Sequence, residues 1–298
     1  MLALIGAVAW SVRKATAPIV CYADALESLT PEAATTVDGT GLPRELQPVA
    51  RAIDHLIQRV HDSIIRERTL TADAAHELRN PLAALRLQAQ VALRATRQEE
   101  RNTALSELLR ATDRAARMVD AVLTLARFDA STNAQISQSK VQLDQLAQLI
   151  ATEFSALAAM RDVTICLDCA RVTVLGDQDA LAILLRNLFS NALRYARKQI
   201  RVEISARDQD AVIVVVDDGP GFSEETSTRA FHRFFRGPEA INSSDGAGLG
   251  LAMALRIAQL HSGAVDIGRG THGGARVTVT LRCLCPENTG VPQTENVV

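Results

Sequence analysis

Apolar residues recur at steps of three and four from residue 49 to residue 126 of this chain, and beyond residue 140 the rhythm gives way to short alternating runs between helical ones. The early rhythm is that of amphipathic helices. Val49, Ile53, Leu56, Ile57, Val60 and Ile64 predict one helix that meets no breaker before a second series, Ala75, Leu78, Leu82, Leu85, Ala89 and Ala92. A polar break at residues 94–102 precedes a third series, Leu105, Leu108, Thr112, Ala115, Val119, Val122 and Ala126. The last two series predict a helical hairpin. A lone hairpin leaves part of each seam uncovered, so pairing with a second copy into a four-helix bundle, a homodimer, is the expected outcome.

From residue 141 the pattern predicts a helix at 143–160, strands at 163–167 and 172–175, a helix at 177–196 and strands at 200–205 and 211–217. A glycine-rich stretch then leads to a helix at 249–262 and strands at 264–268 and 275–282. Ile200, Val202 and Ile204 alternate with Arg201, Glu203 and Ser205, so that strand has one wet face. The order predicts a sheet with three helices on one face, an α/β sandwich. Residues 129–140 read as a linker, and the polar residues 286–298 as a tail without a core of its own.

At the other end, residues 1–12 are apolar except Ser11 and precede Arg13 and Lys14. A membrane span takes about 20 apolar residues, so this stretch is too short to cross alone. It reads as a secretory h-region or as the inner end of a transmembrane helix, and the basic pair, with no small-residue cleavage site after it, favours the second and places the remainder on the cytoplasmic side of an inner membrane. Ala17-Pro18-Ile19 is expected to open a further helix carrying Ile19, Tyr22, Ala23 and Leu26, and the breaker-rich residues 30–43 follow.

The chain's 298 residues allow about two domains. A net charge of −2, no basic tract and 3% aromatic residues speak against a nucleic-acid partner. Cys21, Cys166, Cys169, Cys283 and Cys285 are odd in number and form no repeating framework, as reduced thiols would. Cys166 and Cys169 have a zinc-like spacing, but three positions along a strand turn two side chains to opposite faces.

Candidate chemistry begins with His76 and Glu77, inside the sequence Ala74-Ala75-His76-Glu77-Leu78-Arg79-Asn80-Pro81-Leu82. His76 sits one residue off the seam, about 100° around the helix, where a partner domain can reach it. Pro81 lacks the N–H that would bond the Glu77 carbonyl, so a bend is expected one turn further on. Farther along, Asn187, Asn191, Arg194 and Tyr195 form one stripe of the 177–196 helix. Amides contribute nothing to packing there, and they read as oxygen donors for Mg²⁺ with a base stacked nearby. Asp217-Asp218-Gly219-Pro220-Gly221 follows an apolar strand, offering a carboxylate for an adenine amino group and glycines that admit the ring. Gly246, Gly248 and Gly250 lead into a helix whose first N–H groups suit phosphates. Phe231, Phe234 and Phe235 would anchor a lid, with Arg233 and Arg236 available to phosphate.

The box around His76 resembles the phosphoacceptor sequence of bacterial sensor histidine kinases. The four downstream elements stand in the order of the N, G1, F and G2 boxes of the kinases' ATPase domain. The resemblance covers the 67–129 hairpin as dimerisation and phosphoacceptor domain, a 130–140 linker, and 141–285 as a catalytic domain of the histidine kinase and Hsp90-like ATPase type. Residues 15–66 are similar, more loosely, to a HAMP linker behind the membrane piece at 1–14, and the family's sensor domain is expected to be missing.

The resemblance implies that His76 takes the γ-phosphoryl group of ATP, Glu77 orients the imidazole and accepts its proton, and Asn191 holds Mg²⁺ with Asn187 beside it. Asp217 would read adenine, Gly246, Gly248 and Gly250 would line the phosphates, and the phosphoryl group would pass to an aspartate in the receiver domain of a response regulator. Asn80 stands where many relatives have Thr, the position tied to dephosphorylating that regulator. Two other readings are a chaperone- or topoisomerase-like ATPase, which would carry a transducer domain after the ATP domain, and a truncated relative that binds ATP or dimerises without signalling.

Overall fold

A computed structural model describes residues 1–27, 43–44, 46–130, 137–237, 247–270 and 273–284. The chain divides into two units, Met1–Ala72 and Asp73–Val298. The first contains α1 (Leu2–Glu27) and the beginning of α2 (Gln47–Arg94). Helix α1 runs through Pro18, so the helix expected to open there is instead one with the apolar stretch before it. The Tyr22 hydroxyl donates to the Ala50 carbonyl at 3.4 Å, and Ala50 is buried. No helix among the described residues is long and apolar enough to cross a membrane.

In the second unit, α2 passes through Pro81 to Arg94, and α3 (Gln98–Ala130) begins after a connector of a few residues. The connector is held where Arg101 donates to the Ala95 carbonyl at 3.1 Å. Helix α3 buries Ala104, Ala111 and Leu125, with Leu108, Ala115, Met118 and Val122 partly covered between them. The expected seam is thereby split. Leu108, Ala115, Val122 and Ala126 are partly covered, whereas Leu105 and Val119 lie exposed beside Leu109 and Leu123. On α2, Ala74 is buried in place of Ala75, and Leu82, Leu87 and Val91 face outward. A heptad pattern marks an apolar flank wide enough for two neighbours, and the hairpin covers only half of it.

The sandwich contains β1 (Ser139–Gln142), α4 (Leu143–Met160), β2 (Thr164–Cys169), β3 (Thr173–Gly176), α5 (Gln178–Tyr195), β4 (Gln199–Arg207) and β5 (Asp210–Asp217). It continues with α6 (Glu224–Arg229), α7 (Gly250–Leu260), β6 (Ala264–Arg269) and β7 (Ala275–Arg282). Five strands form one sheet in the order β2-β4-β5-β7-β6, with only the β2–β4 pair parallel. Helix α4 packs on β2, α5 on β5, and α7 on β6 and β7. Ile200, Val202 and Ile204 turn into this layer, and the wet face of β4 is as expected. The helices contribute Ile150, Leu181, Leu184, Leu185, Phe189 and Ile257.

Two elements were not foreseen. Strand β1, across the end of the expected linker, pairs antiparallel with β3, Val141 opposite Val174, and is too short to show alternation. Helix α6 is capped by Ser223, whose Oγ accepts the Thr226 N–H at 3.2 Å, but it buries no residue and so shows no apolar stripe. Cys166 and Cys169 are half-buried free thiols on β2.

Candidate nucleotide and phosphoacceptor site

Helix α5 starts at Asp177, whose Oδ1 accepts the N–H groups of Asp179 and Ala180 at 2.9 and 3.0 Å, satisfying two bare donors of the first turn. The Asp177 N–H itself donates to His261 Nε2 at 3.1 Å, so the proton of the neutral ring sits on Nδ1, 2.8 Å from the Ile257 carbonyl. His261 thus ties the start of α5 to the end of α7. A Cβ at Gly176 would stand 2.4 Å from its ring, which excludes any larger residue there. On the far side of α5, Arg186 makes a two-pronged pair with Glu153 of α4, both contacts at 2.8 Å.

The amide face of α5 then meets the start of α7. Asn187 Nδ2 donates to the Ile183 carbonyl at 2.8 Å and lies 3.4 Å from Met253 Sδ, which leaves its Oδ1 beside Gly250. A Cβ on Gly250 would come within 3.1 Å of that oxygen. Asn191, Arg194 and Tyr195 are half-buried farther along α5. Gly219 closes against the last turn, where an added Cβ would meet the Tyr195 carbonyl at 2.3 Å. Two segments that the sequence separates by more than twenty residues therefore touch the two ends of one helix stripe.

Asp217 ends β5 at 5% exposure, and its Oδ1 accepts the N–H of Gly219 at 2.9 Å and of Ala275 at 3.1 Å. Burial pushes this carboxyl above its ordinary range, against the pull of the two backbone bonds. Because both bonds fall on Oδ1, Oδ2 is the acceptor left for a ligand amino group. Burial would also raise Asp218, but the N–H groups of Lys198, Arg197 and Gln199 outweigh it and hold that carboxyl below the usual range. Gly273 and Gly274 close over this corner: a Cβ at Gly274 would stand 1.8 Å from the Asp217 carbonyl, and Gly221, at φ +77°, faces the Gly273 carbonyl. Gly273, Gly274 and Ala275 escaped the sequence reading. A cluster of glycines between two strands was the available signal, but it is equally the signal of an ordinary hairpin.

The aromatic segment folds back on the start of α7. Phe231, Phe234 and Phe235 are all half-buried, and the Arg229 guanidinium lies 4.7 Å from the centre of the Phe235 ring. Gly248, at φ +69°, passes so close to the Phe234 backbone that a Cβ would meet it at 2.7 Å, so the two ends of the intervening segment are joined there. Arg236 is half-buried on that segment, and Gly246 lies outside the described residues. Arg233 does not stand open to a phosphate: its Nη2 is 2.6 Å from Asp129 Oδ2 at the end of α3. Asp129 also escaped the sequence reading, which placed the start of a linker there. On α2, His76 and Asn80 are exposed and Glu77 is half-buried. The 780 Å³ cavity between α4 and β2 includes none of these residues.

The fold and this geometry define a phosphoacceptor helix joined to an ATPase sandwich. Residues 66–131 match the His Kinase A (phospho-acceptor) domain, and residues 176–284 match the histidine kinase-, DNA gyrase B- and HSP90-like ATPase. The sensor protein QseC of Salmonella typhimurium is 38% identical over 88% of the chain, and the sensor protein kinase PmrB of Pseudomonas aeruginosa 34% identical over 98%. The chain belongs to the sensor histidine kinases, and it spans 58% and 61% of the length of these two relatives. The histidine kinase AdeS of Acinetobacter baumannii has the same fold, with a TM-score of 0.57 at 19% identity over 70% of this chain and 97% of its own.

Proposed function

We propose that this chain phosphorylates its own His76 from ATP and passes the phosphoryl group to an aspartate in the receiver domain of a response regulator. The supporting observation is the meeting of Asp217, Asn187 and Gly250 around α5, on a chain that also presents His76 at the surface of α2. Asp217 Oδ2 accepts the adenine amino group, and the cramped backbone at Gly219 and Gly274 admits a flat ring but no added side chain. The N–H groups at the start of α7, behind Gly248 and Gly250, receive phosphate oxygens.

Asn191 and Asn187 carry the hard oxygen donors that suit Mg²⁺, with Asn187 Oδ1 already turned toward Gly250. When bound, that ion neutralises charge on the phosphate oxygens during transfer. His76 attacks the γ-phosphorus as the neutral imidazole, Glu77 accepts the ring proton, and ADP leaves with the electrons of the broken P–O bond. Asn80, exposed one turn beyond His76, is placed to orient a water for regulator dephosphorylation.

The uncovered leucines of α2 and α3 favour a homodimer built on the hairpin, and the apolar beginning of α1 favours attachment to the cytoplasmic membrane with the kinase part inside. Residues 15–66 would then act as a HAMP-like linker. Incubation with γ-labelled ATP should give acid-labile, alkali-stable label on the wild-type chain. Its absence from wild type, or its persistence in His76→Gln, would overturn the assignment.

A further inference from the structure

Asp129 is the last charged residue of α3, and two arginines of the sandwich converge on it. Arg233 Nη2 lies 2.6 Å from Oδ2, and Arg256 Nε lies 3.3 Å from Oδ1. Arg256 also covers the last turn of α3, donating to the Phe128 carbonyl at 3.2 Å and to the Asp129 carbonyl at 3.3 Å. Those carbonyls have no partner within a helix and carry the negative end of its dipole, so a cation is well placed there. The side chains of Asp129 and Arg233 are only 14% and 20% exposed, which screens the pair less than an open surface contact.

The two arginines have different surroundings. Arg256 belongs to α7, in the body of the sandwich. Arg233 belongs to the segment whose next residue, Phe234, lies against Gly248 at the phosphate end of the site. A guanidinium recognises carboxylate and phosphate oxygens through the same planar donors, so the Arg233 donor held by Asp129 is withheld from a phosphate.

We propose that Asp129 competes with the nucleotide phosphates for Arg233, so that seating the end of α3 on the sandwich and binding the triphosphate oppose one another. The inference rests on the reading of this site as an ATP site. The opposition is reciprocal: whatever frees α3 from the sandwich favours ATP, and bound ATP favours release of α3. A hairpin signal and nucleotide occupancy are thereby coupled through one charged residue 104 positions from Arg233 in sequence.

Calorimetric titration of the full chain with ATP and Mg²⁺, and separately with adenosine, tests this. Asp129→Asn, which keeps the shape and removes the charge, should bind ATP about three- to tenfold tighter, with adenosine affinity unchanged. Asp129→Glu should retain wild-type affinity for both. In an Arg233→Ala background ATP affinity should fall, and the gain from Asp129→Asn should disappear. Unchanged or weaker ATP binding by Asp129→Asn, equal tightening of adenosine, or a gain that survives Arg233→Ala would each overturn the competition. A wild-type chain that binds adenosine but gains nothing from the phosphates would also overturn it, while leaving the adenine pocket in place. Failure to bind either ligand would remove the ATP reading and this inference with it.

Discussion

The hairpin and the sandwich both carry repeating apolar faces, yet the sandwich closes its core and the hairpin leaves part of its faces exposed. In the sandwich, Ile213, Leu184, Leu185 and Ile257 are sealed between sheet and helices. In the hairpin, Leu125 is 1% exposed while Leu123, two residues earlier on the same helix, is 59% exposed. Two helices cover one flank of each other, whereas a sheet and three helices enclose a layer. The lesson is that a repeating apolar face does not by itself make a region self-sufficient; the layers packed against it do. The half-covered hairpin is suited to a partner and to rearrangement, and the closed sandwich is suited to holding a ligand in fixed geometry.

The largest effects should come from separating the two regions chemically. His76→Gln is expected to abolish label while leaving ATP affinity within about twofold of wild type, and Asn191→Ala to abolish it through loss of metal-assisted positioning. Equilibrium nucleotide binding alongside label incorporation checks both, and loss of ATP binding in His76→Gln would contradict the division of labour. A mixed dimer of the two variants recovers label only when transfer runs between subunits.

The next effect distinguishes the two leucines. Leu125→Ala should cost about 2–4 kcal/mol of stability through the cavity it leaves. Leu109→Glu with Leu123→Glu should leave the thermal midpoint of the sandwich unchanged while shifting sedimentation from dimer to monomer. A monomeric wild type at micromolar concentration would break the comparison, because the exposed stripe would then have no partner copy to cover it.

The smallest effect lies within the sandwich and depends on pH. Burial raises the Asp217 carboxyl, so its ionisation opposes folding: the cost is absent below the unfolded carboxyl's range and appears as pH rises through and above it. Asp217→Asn should therefore stabilise the unliganded sandwich by about 1 kcal/mol at neutral pH, a gain that shrinks toward pH 4, while weakening ATP binding. Thermal unfolding with and without ATP reads both signs. A destabilised variant at pH 7 would show that the bonds from Gly219 and Ala275 need the full charge. Asp218, held below its usual range by backbone N–H groups, has the opposite sign and loses its contribution as pH falls.

Much of this was legible along the chain because it is local. Steps of three and four marked α2 and α3, and alternation marked β4, since a helix or strand repeats its burial with a fixed period. The order of the His76, Asn187–Asn191, Asp217–Gly221 and Gly248–Gly250 segments was likewise a property of sequence. What only the tertiary structure decided is which distant groups meet. Ala275 reaches Asp217 Oδ1 from 58 positions away, and His261 holds the start of α5 from 84. Strand β1 forms because β3 lies beside it, and Arg233 faces Asp129 instead of standing open to a phosphate. The choice between the Leu108–Leu125 and Leu105–Leu123 flanks of α3 also waited on the fold, because both are apolar and both repeat every seven residues. Periodicity reports that a face is to be covered, but only chain closure in three dimensions determines what covers it.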